Sequence, residues 1–373
     1  MTTIALVDTV MRLRVLAPLQ AAVSKAQEAS AGSYLTPPQL PSDVKAAADT
    51  AQSAGGMPDD FLQLGRALLQ FAFALARGVG ASLMGDPSSP EVKAQRMADI
   101  AQLVGSICQL LALPQDAHSS VLALQLEAVK VLVQMPLQAT QADAFTKETL
   151  ESGQAWSLAM AVHSHGGLAA LLKIVHLGLM GVVAGQPLLL EQYWGGAVEG
   201  GGSASETSTP ERPVLPVPAA FKGVSSVSMF PPVMLLQRLL SAEMSLRAAA
   251  LPTVMQGSGF VALQSSVGSE ARSDDGDRSA APLLYDSSCV EGGAPAMPLF
   301  DCLKAAMQVN PPQDLLKRFA GEVLFMGAGG DPRRYVSLVG VGLALPMLQA
   351  AGLVEFGSEE GGGGAASSAA GKE

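Results

Sequence analysis

The sequence predicts an all-α chain: an irregular α-solenoid interrupted by long disordered insertions. Three observations predict it. Apolar residues recur at helical spacing through each apolar stretch. Hydrophobic residues make up 49% of the 373 positions but aromatics only 5%. The apolar content is therefore mostly Ala, Leu and Val, and Ala and Leu favour helices over strands. Four polar tracts rich in Gly, Ser and Pro separate the apolar segments, and such tracts cannot bury enough apolar area to offset backbone ordering.

The elements follow in order. Residues 1–30 read as an N-terminal helix. Asp8, Arg12 and Arg14 break its apolar run, so it does not read as a secretory signal. Residues 31–60 are a Pro/Ser/Gly linker. A helical repeat region spans 61–194. It opens with Phe61, Leu64, Leu68, Phe71 and Leu75 on one helix face, and Gly78 and Gly80 then weaken the helix. The next helix has a start signal, with Ser89 at N-cap, Pro90 at N1 and Glu91 in the first turn. Met97, Ile100, Val104, Cys108 and Leu111 form its stripe, and Pro114 ends it. Leu124, Ala128, Val131 and Met135 form the following stripe, which Pro136 stops.

Residues 195–224 read as a disordered Gly/Ser/Pro-rich linker, 225–264 as a helical hairpin, and 265–298 as a disordered acidic linker. A C-terminal helical region spans 299–356, and 357–373 is a disordered tail. A loose internal echo links the helical parts. "SICQLLALPQDAHSSVLALQLEAVKVLVQM", "VMLLQRLLSAEMSLRAAALPTVM" and "LFDCLKAAMQVNPPQDLLKRFAGEVLFMG" each read as helix, short break, helix. A helix hairpin cannot bury both faces alone. Stacking such units is how a solenoid makes a continuous core.

"SGQAWSLAMAVHSHGGLAALLKIVHLG" holds three of the four histidines, His163, His165 and His176. Gly166 and Gly167 mark a step between helices, and Leu168, Leu171 and Leu172 follow as an apolar run. This pattern resembles the final helix of an armadillo repeat, and "ALQLEAVKVLVQM" before it resembles the family's second helix. The resemblance implies an armadillo/HEAT-like architecture. It departs from the family at residues 138–152, which lie where the family has a short turn. Val133, Gln134 and Met135 stand where many peptide-binding members carry an Asn, so the importin-style groove is not implied. His163 and His165 are expected at a helix end, with the three leucines buried beyond. His176 lies three helical turns, roughly 16 Å, past His165, too far to share a metal. All three are expected to be helix-end or partly exposed side chains, with no metal site.

Other chemistry is sparse. The net charge is −10, and a phosphate-tracking surface needs clustered basic groups, so direct nucleic-acid binding is not expected. Cys108, Cys289 and Cys302 are odd in number and lack a CxxC pair, which suits free thiols in a reducing compartment. "VLFMGAGGDPRR" lacks the third Gly of a dinucleotide fingerprint. It reads instead as Gly327 ending one helix, with Asp331 at N-cap and Pro332 at N1 of the next. Gly257-Ser258-Gly259 is not a nucleophile elbow. The pairs Asp59–Asp60 and Asp274–Asp275 fall in linkers, which do not supply the rigid positioning of acid–base catalysis.

The expected function is that of a non-enzymatic protein–protein interaction scaffold, a subunit or fragment of a larger intracellular assembly in the cytoplasm or nucleus. Its partner would be a helix or extended peptide lying along stacked helices. Gln125, Lys130, Gln134, Gln154 and Trp156 are the expected partner-binding residues. No cofactor, metal, catalytic residue or small-molecule substrate is expected. The alternative is a membrane-associated helical protein anchored by residues 335–354, twenty residues without a charge after Arg333–Arg334.

Overall fold

A computed structural model describes residues 3–17, 20–21, 63–74, 90–114, 119–135, 137, 157–194, 215–258, 283–288, 296–310 and 314–354. Every helix or strand assigned among them is a helix. α1 is Thr3–Met11, continued by a π-helical turn over Arg12–Leu16. α2 covers residues 63–74. α3 is Pro90–Leu111, α4 Ser119–Gln134, α5 Leu158–Ser164, α6 Gly167–Ala184 and α7 Pro187–Trp194. A 3-10 turn at Ala219–Phe221 precedes α8, Ser226–Ala242, and α9, Met244–Val254. α10 is Leu299–Ala306, α11 Asp314–Gly327, α12 Pro332–Val339 and α13 Val341–Ala350.

Periodicity and punctuation explain most of these bounds. α3 begins at Pro90, whose missing N–H costs nothing in a first turn. Ile100, Val104, Cys108 and Leu111 of its expected stripe are buried, as are Leu124, Ala128, Val131 and Met135 of the next. Each of the three echoed stretches forms a helix pair in mutual contact: α3 with α4, α8 with α9, and α10 with α11. α2 departs from its predicted face. Leu64 and Phe71 are exposed, while Leu69 and Ala72 are buried. The reason is Gly65: without a side chain it lets α2 close onto Val15 and Leu124, and the helix turns that face inward.

The principal contacts join helices both next to one another and far apart in the chain. α1 lies on α3, and α3 touches α4, α5 and α6. α4 and α6 both meet α8, α6 also meets α10, and α8 meets α11. α13 then closes on α11 and α12. α6 is the centre, with 14 of its 18 residues buried. Each buried Leu, Ile or Val there contributes about 1.5–3 kcal/mol from removed apolar area. α6 approaches its neighbours closely because of its glycines: a Cβ on Gly181 would run into the Phe221 carbonyl, and one on Gly178 into the Met229 thioether.

Three expectations need correction. The linker expected over 195–224 gives way to packed chain by 215, where Leu215, Val217 and Phe221 are buried. The linker expected over 265–298 contains residues 283–288 and 296–298, and Ser287, Ala296 and Met297 are buried. Apolar side chains recurring between prolines are enough to anchor irregular backbone when a helix bundle offers a face for them. The anchor expected over 335–354 is not one helix. Gly340, with φ +90°, divides it into α12 of 8 residues and α13 of 10. At 1.5 Å per residue neither half spans a hydrocarbon core of ~30 Å. Tyr335, Val339, Ala344 and Leu348 are instead buried within the protein. Among the described residues the helix long and apolar enough to cross a membrane is α6, mean hydropathy 2.0, with 78% of it buried inside the protein.

Candidate functional site

Of the five residues expected to bind a partner, Gln125 is elsewhere. It is fully buried, and its Nε2 faces the carbonyls of Leu110, Leu111 and Leu113 at 3.2, 3.0 and 2.8 Å. These carbonyls end α3, where intrahelical donors run out; Leu110 O also accepts from Leu113 N at 3.3 Å. Gln125 is thus a cap supplied by α4 to its hairpin partner, and its own Oε1 finds no hydrogen-bond partner among the described residues. Lys130 and Gln134 do face outward. With Ala123 and Glu127 they recur at four- and three-residue steps and form the less buried stripe of α4. Lys130 Nζ pairs with Glu127 Oε1 at 2.8 Å. Gln154 and Trp156 lie outside the described residues.

The end of α4 is held from α8. Arg238 donates to the carbonyls of Val133 and Met135, and burial pushes its guanidinium below the usual arginine range. A cation at a helix C-terminus is favoured by the exposed carbonyls and the helix dipole. Arg247 of α9 treats α8 the same way, with Nε donating to Leu240 O at 2.9 Å. α1 is tied to α3 by a polar trio. Ser106 Oγ donates to Asp8 Oδ1 at 2.5 Å, and Arg12 Nε lies 3.1 Å from Asp8 Oδ2 and 2.8 Å from Ser106 Oγ. Asp8 and Ser106 are buried, so this pairing fixes the register of α1.

The histidine stretch folds as its punctuation implies. α5 ends at Ser164 with His163 in its last turn, His165 is the C-cap, and Gly166 takes φ +71° before α6 begins. Leu168, Leu171 and Leu172 are buried just beyond. His176 does not fit the helix-end or partly exposed reading. It is fully buried at the middle of α6. Nε2 lies 2.7 Å from Met297 O and Nδ1 3.0 Å from Tyr285 Oη. A carbonyl only accepts, so Nε2 carries the proton, and Nδ1 accepts from the tyrosine hydroxyl. Burial lowers the imidazole pKa to about 4, only partly offset by the Met297 carbonyl and Asp286, so the ring is neutral. The Tyr285 ring stands 5.6 Å from the imidazole, centroid to centroid.

Around this pair the described residues form a polar cluster. Thr253 Oγ1 accepts from Leu284 N and Tyr285 N at 3.1 and 3.4 Å. Gln256 Oε1 accepts from Ser287 N at 2.8 Å and Ser287 Oγ at 2.9 Å, while its Nε2 donates to Asp286 Oδ1 at 2.6 Å. Ser287 Oγ in turn accepts from Leu299 N at 3.2 Å, capping the start of α10. Residues 283–288 are therefore a strap, stitched to α9, α6 and α10. None of these residues was singled out from the sequence. The available signal was His176 itself, a titratable ring in an apolar helix that demands partners; its partners lie over 100 residues away.

The Gly-rich turn is a helix stop and start. α11 ends at Gly327, and Asp331 Oδ1 accepts from Arg333 N at 2.8 Å and Arg334 N at 3.4 Å, with Pro332 at the first helical position. The amides that a phosphate would need are held by that carboxylate. Cys108 and Cys302 are buried free thiols, and burial pushes Cys108 up to about 12 and Cys302 well above the ordinary range. Such thiols are poor nucleophiles. Cys289 is outside the described residues. Among the described residues no three His, Cys, Asp or Glu side chains gather as metal ligands would.

No family model, no curated protein and no solved structure matches this chain. The class that fold and site define is an all-helical protein whose polar side chains join helices together.

Proposed function

We propose that the chain is a non-enzymatic interaction scaffold, an irregular armadillo/HEAT-like α-solenoid that serves as a subunit or part of a larger intracellular assembly in the cytoplasm or nucleus. The observation that carries this reading is the order of contacts. The helix pairs α3–α4, α8–α9 and α10–α11 are each in contact, and α3, α6, α8 and α11 are linked in turn, which is compatible with stacked hairpins. Polar side chains are spent on capping between helices, as with Gln125, Arg238 and Arg247. The partner is a protein, offered as a helix or an extended peptide.

The partner-binding face is the outward stripe of α4, with Lys130 and Gln134, together with Gln154 and Trp156 on sequence grounds. Trp is a common anchor of binding energy. Affinity capture with the full chain tests the reading. Wild type is expected to retain a protein that Lys130→Glu/Gln134→Ala loses by at least tenfold, with helix content unchanged. Identical capture by both chains removes α4 from the proposal.

A further inference from the structure

We propose that Thr253, Gln256 and His176, with the Met297 carbonyl, form a recognition site for an extended peptide of the type Leu-Tyr-Asp-Ser, and that residues 283–288 occupy this site in cis. The inference deepens the scaffold reading and rests on it. A helical protein offers no sheet edge, so an extended peptide must be gripped through side chains that meet its backbone amides. That is what the strap shows. Thr253 Oγ1 takes two successive amides, of Leu284 and Tyr285, and Gln256 takes the amide and hydroxyl of Ser287. Each of the other contacts reads one side chain. The tyrosine hydroxyl meets His176 Nδ1 at 3.0 Å, and the acid meets Gln256 Nε2 at 2.6 Å.

The chemistry sets the specificity. His176 presents an acceptor because its other nitrogen donates to Met297 O, so the site requires a hydroxyl where phenylalanine has none. Gln256 presents both a donor and an acceptor, so it takes an acid followed by a residue with a free amide. The strap follows α9 in the chain after residues 255–282, a stretch of 28 positions. A competing peptide therefore faces an intramolecular ligand, whose effective concentration reaches the millimolar range for short tethers.

The test uses the full chain and a fluorescent peptide of sequence APLLYDSS, residues 281–288. Wild type is expected to bind it weakly, since the site is filled. Tyr285→Ala/Asp286→Ala removes the strap's side-chain contacts to His176 and to Gln256 Nε2, so the strap competes more weakly while the receiving residues stay intact. That variant is expected to bind the peptide at least tenfold more tightly than wild type and to gain melting temperature from it. A peptide with Tyr replaced by Phe is expected to bind roughly fivefold more weakly, for one lost hydrogen bond. Adding Thr253→Val/Gln256→Ala is expected to abolish binding. A folded strap variant that binds no more peptide than wild type overturns the proposal. Should that variant not fold, hydrogen exchange on wild type decides. Amides of Leu284, Tyr285 and Ser287 exchanging by local opening, well ahead of those in α6, support a displaceable strap. Exchange as slow as that of α6 overturns it. Loss of partner capture with peptide binding intact counts against the scaffold reading alone, and the reverse counts against the strap alone.

Discussion

At the residue scale the side chains that matter most are buried polar ones. His176 is the clearest. Its unfolded form takes a proton near 6.5, whereas the folded form does so only near 4. Between those values the unfolded chain binds more protons, so stability is complete above 6.5 and falls as pH drops towards 4. The loss attributable to this ring is on the order of 3 kcal/mol. Urea denaturation from pH 7 to 4.5 checks it: the wild-type slope is expected to flatten in His176→Phe, which is itself less stable at pH 7 because the Tyr285 hydroxyl and Met297 carbonyl lose their partner. An unchanged slope removes the ring from the acid response. Gln125→Leu strips the donor from the carbonyls ending α3 and is expected to cost about 1–3 kcal/mol in the same measurement. A glutamine on a predicted surface could not be recognised as a cap, because what it caps comes from tertiary packing. Gln125 follows the α3–α4 turn closely enough to reach back, and that geometry is invisible to periodicity.

At the element scale the punctuation was legible. Pro90, Gly166, Gly327 and the Asp331–Pro332 pair stand where the helices start and stop. These are local signals, and local backbone rules decide them. Face selection was less legible where close approach overrides periodicity, as Gly65 does for α2. The irregular strap was illegible: its composition reads as a linker, and its partners Thr253, Gln256 and His176 lie far away in sequence. Gly181 marks the same limit inside α6. Alanine there gains helix propensity of about 1 kcal/mol, yet its Cβ would meet the Phe221 carbonyl. Gly181→Ala is expected to lower the melting temperature, with a net loss of about 1–3 kcal/mol. Gly166→Ala meets no neighbour, and only its positive φ opposes it; it is expected to cost about 1 kcal/mol. Equal melting temperatures for the two would show that α6 does not close on the 3-10 turn as described.

At the scale of the whole molecule the fold is a relay. Among the described residues α3, α6, α8 and α11 are linked in turn, Arg238 of α8 caps the end of α4, and Arg247 of α9 caps α8 within its own hairpin. Both described thiols and His176 are buried within this helical packing. The proposed scaffold role places a protein partner along the outward face of α4. Crosslinking mass spectrometry on a complex captured with the full chain addresses this most directly. Amine-reactive crosslinks are expected from Lys130 on the outward stripe of α4 to the partner. A captured partner crosslinked only through lysines on other faces, such as Lys222, Lys304 and Lys317, would contradict it.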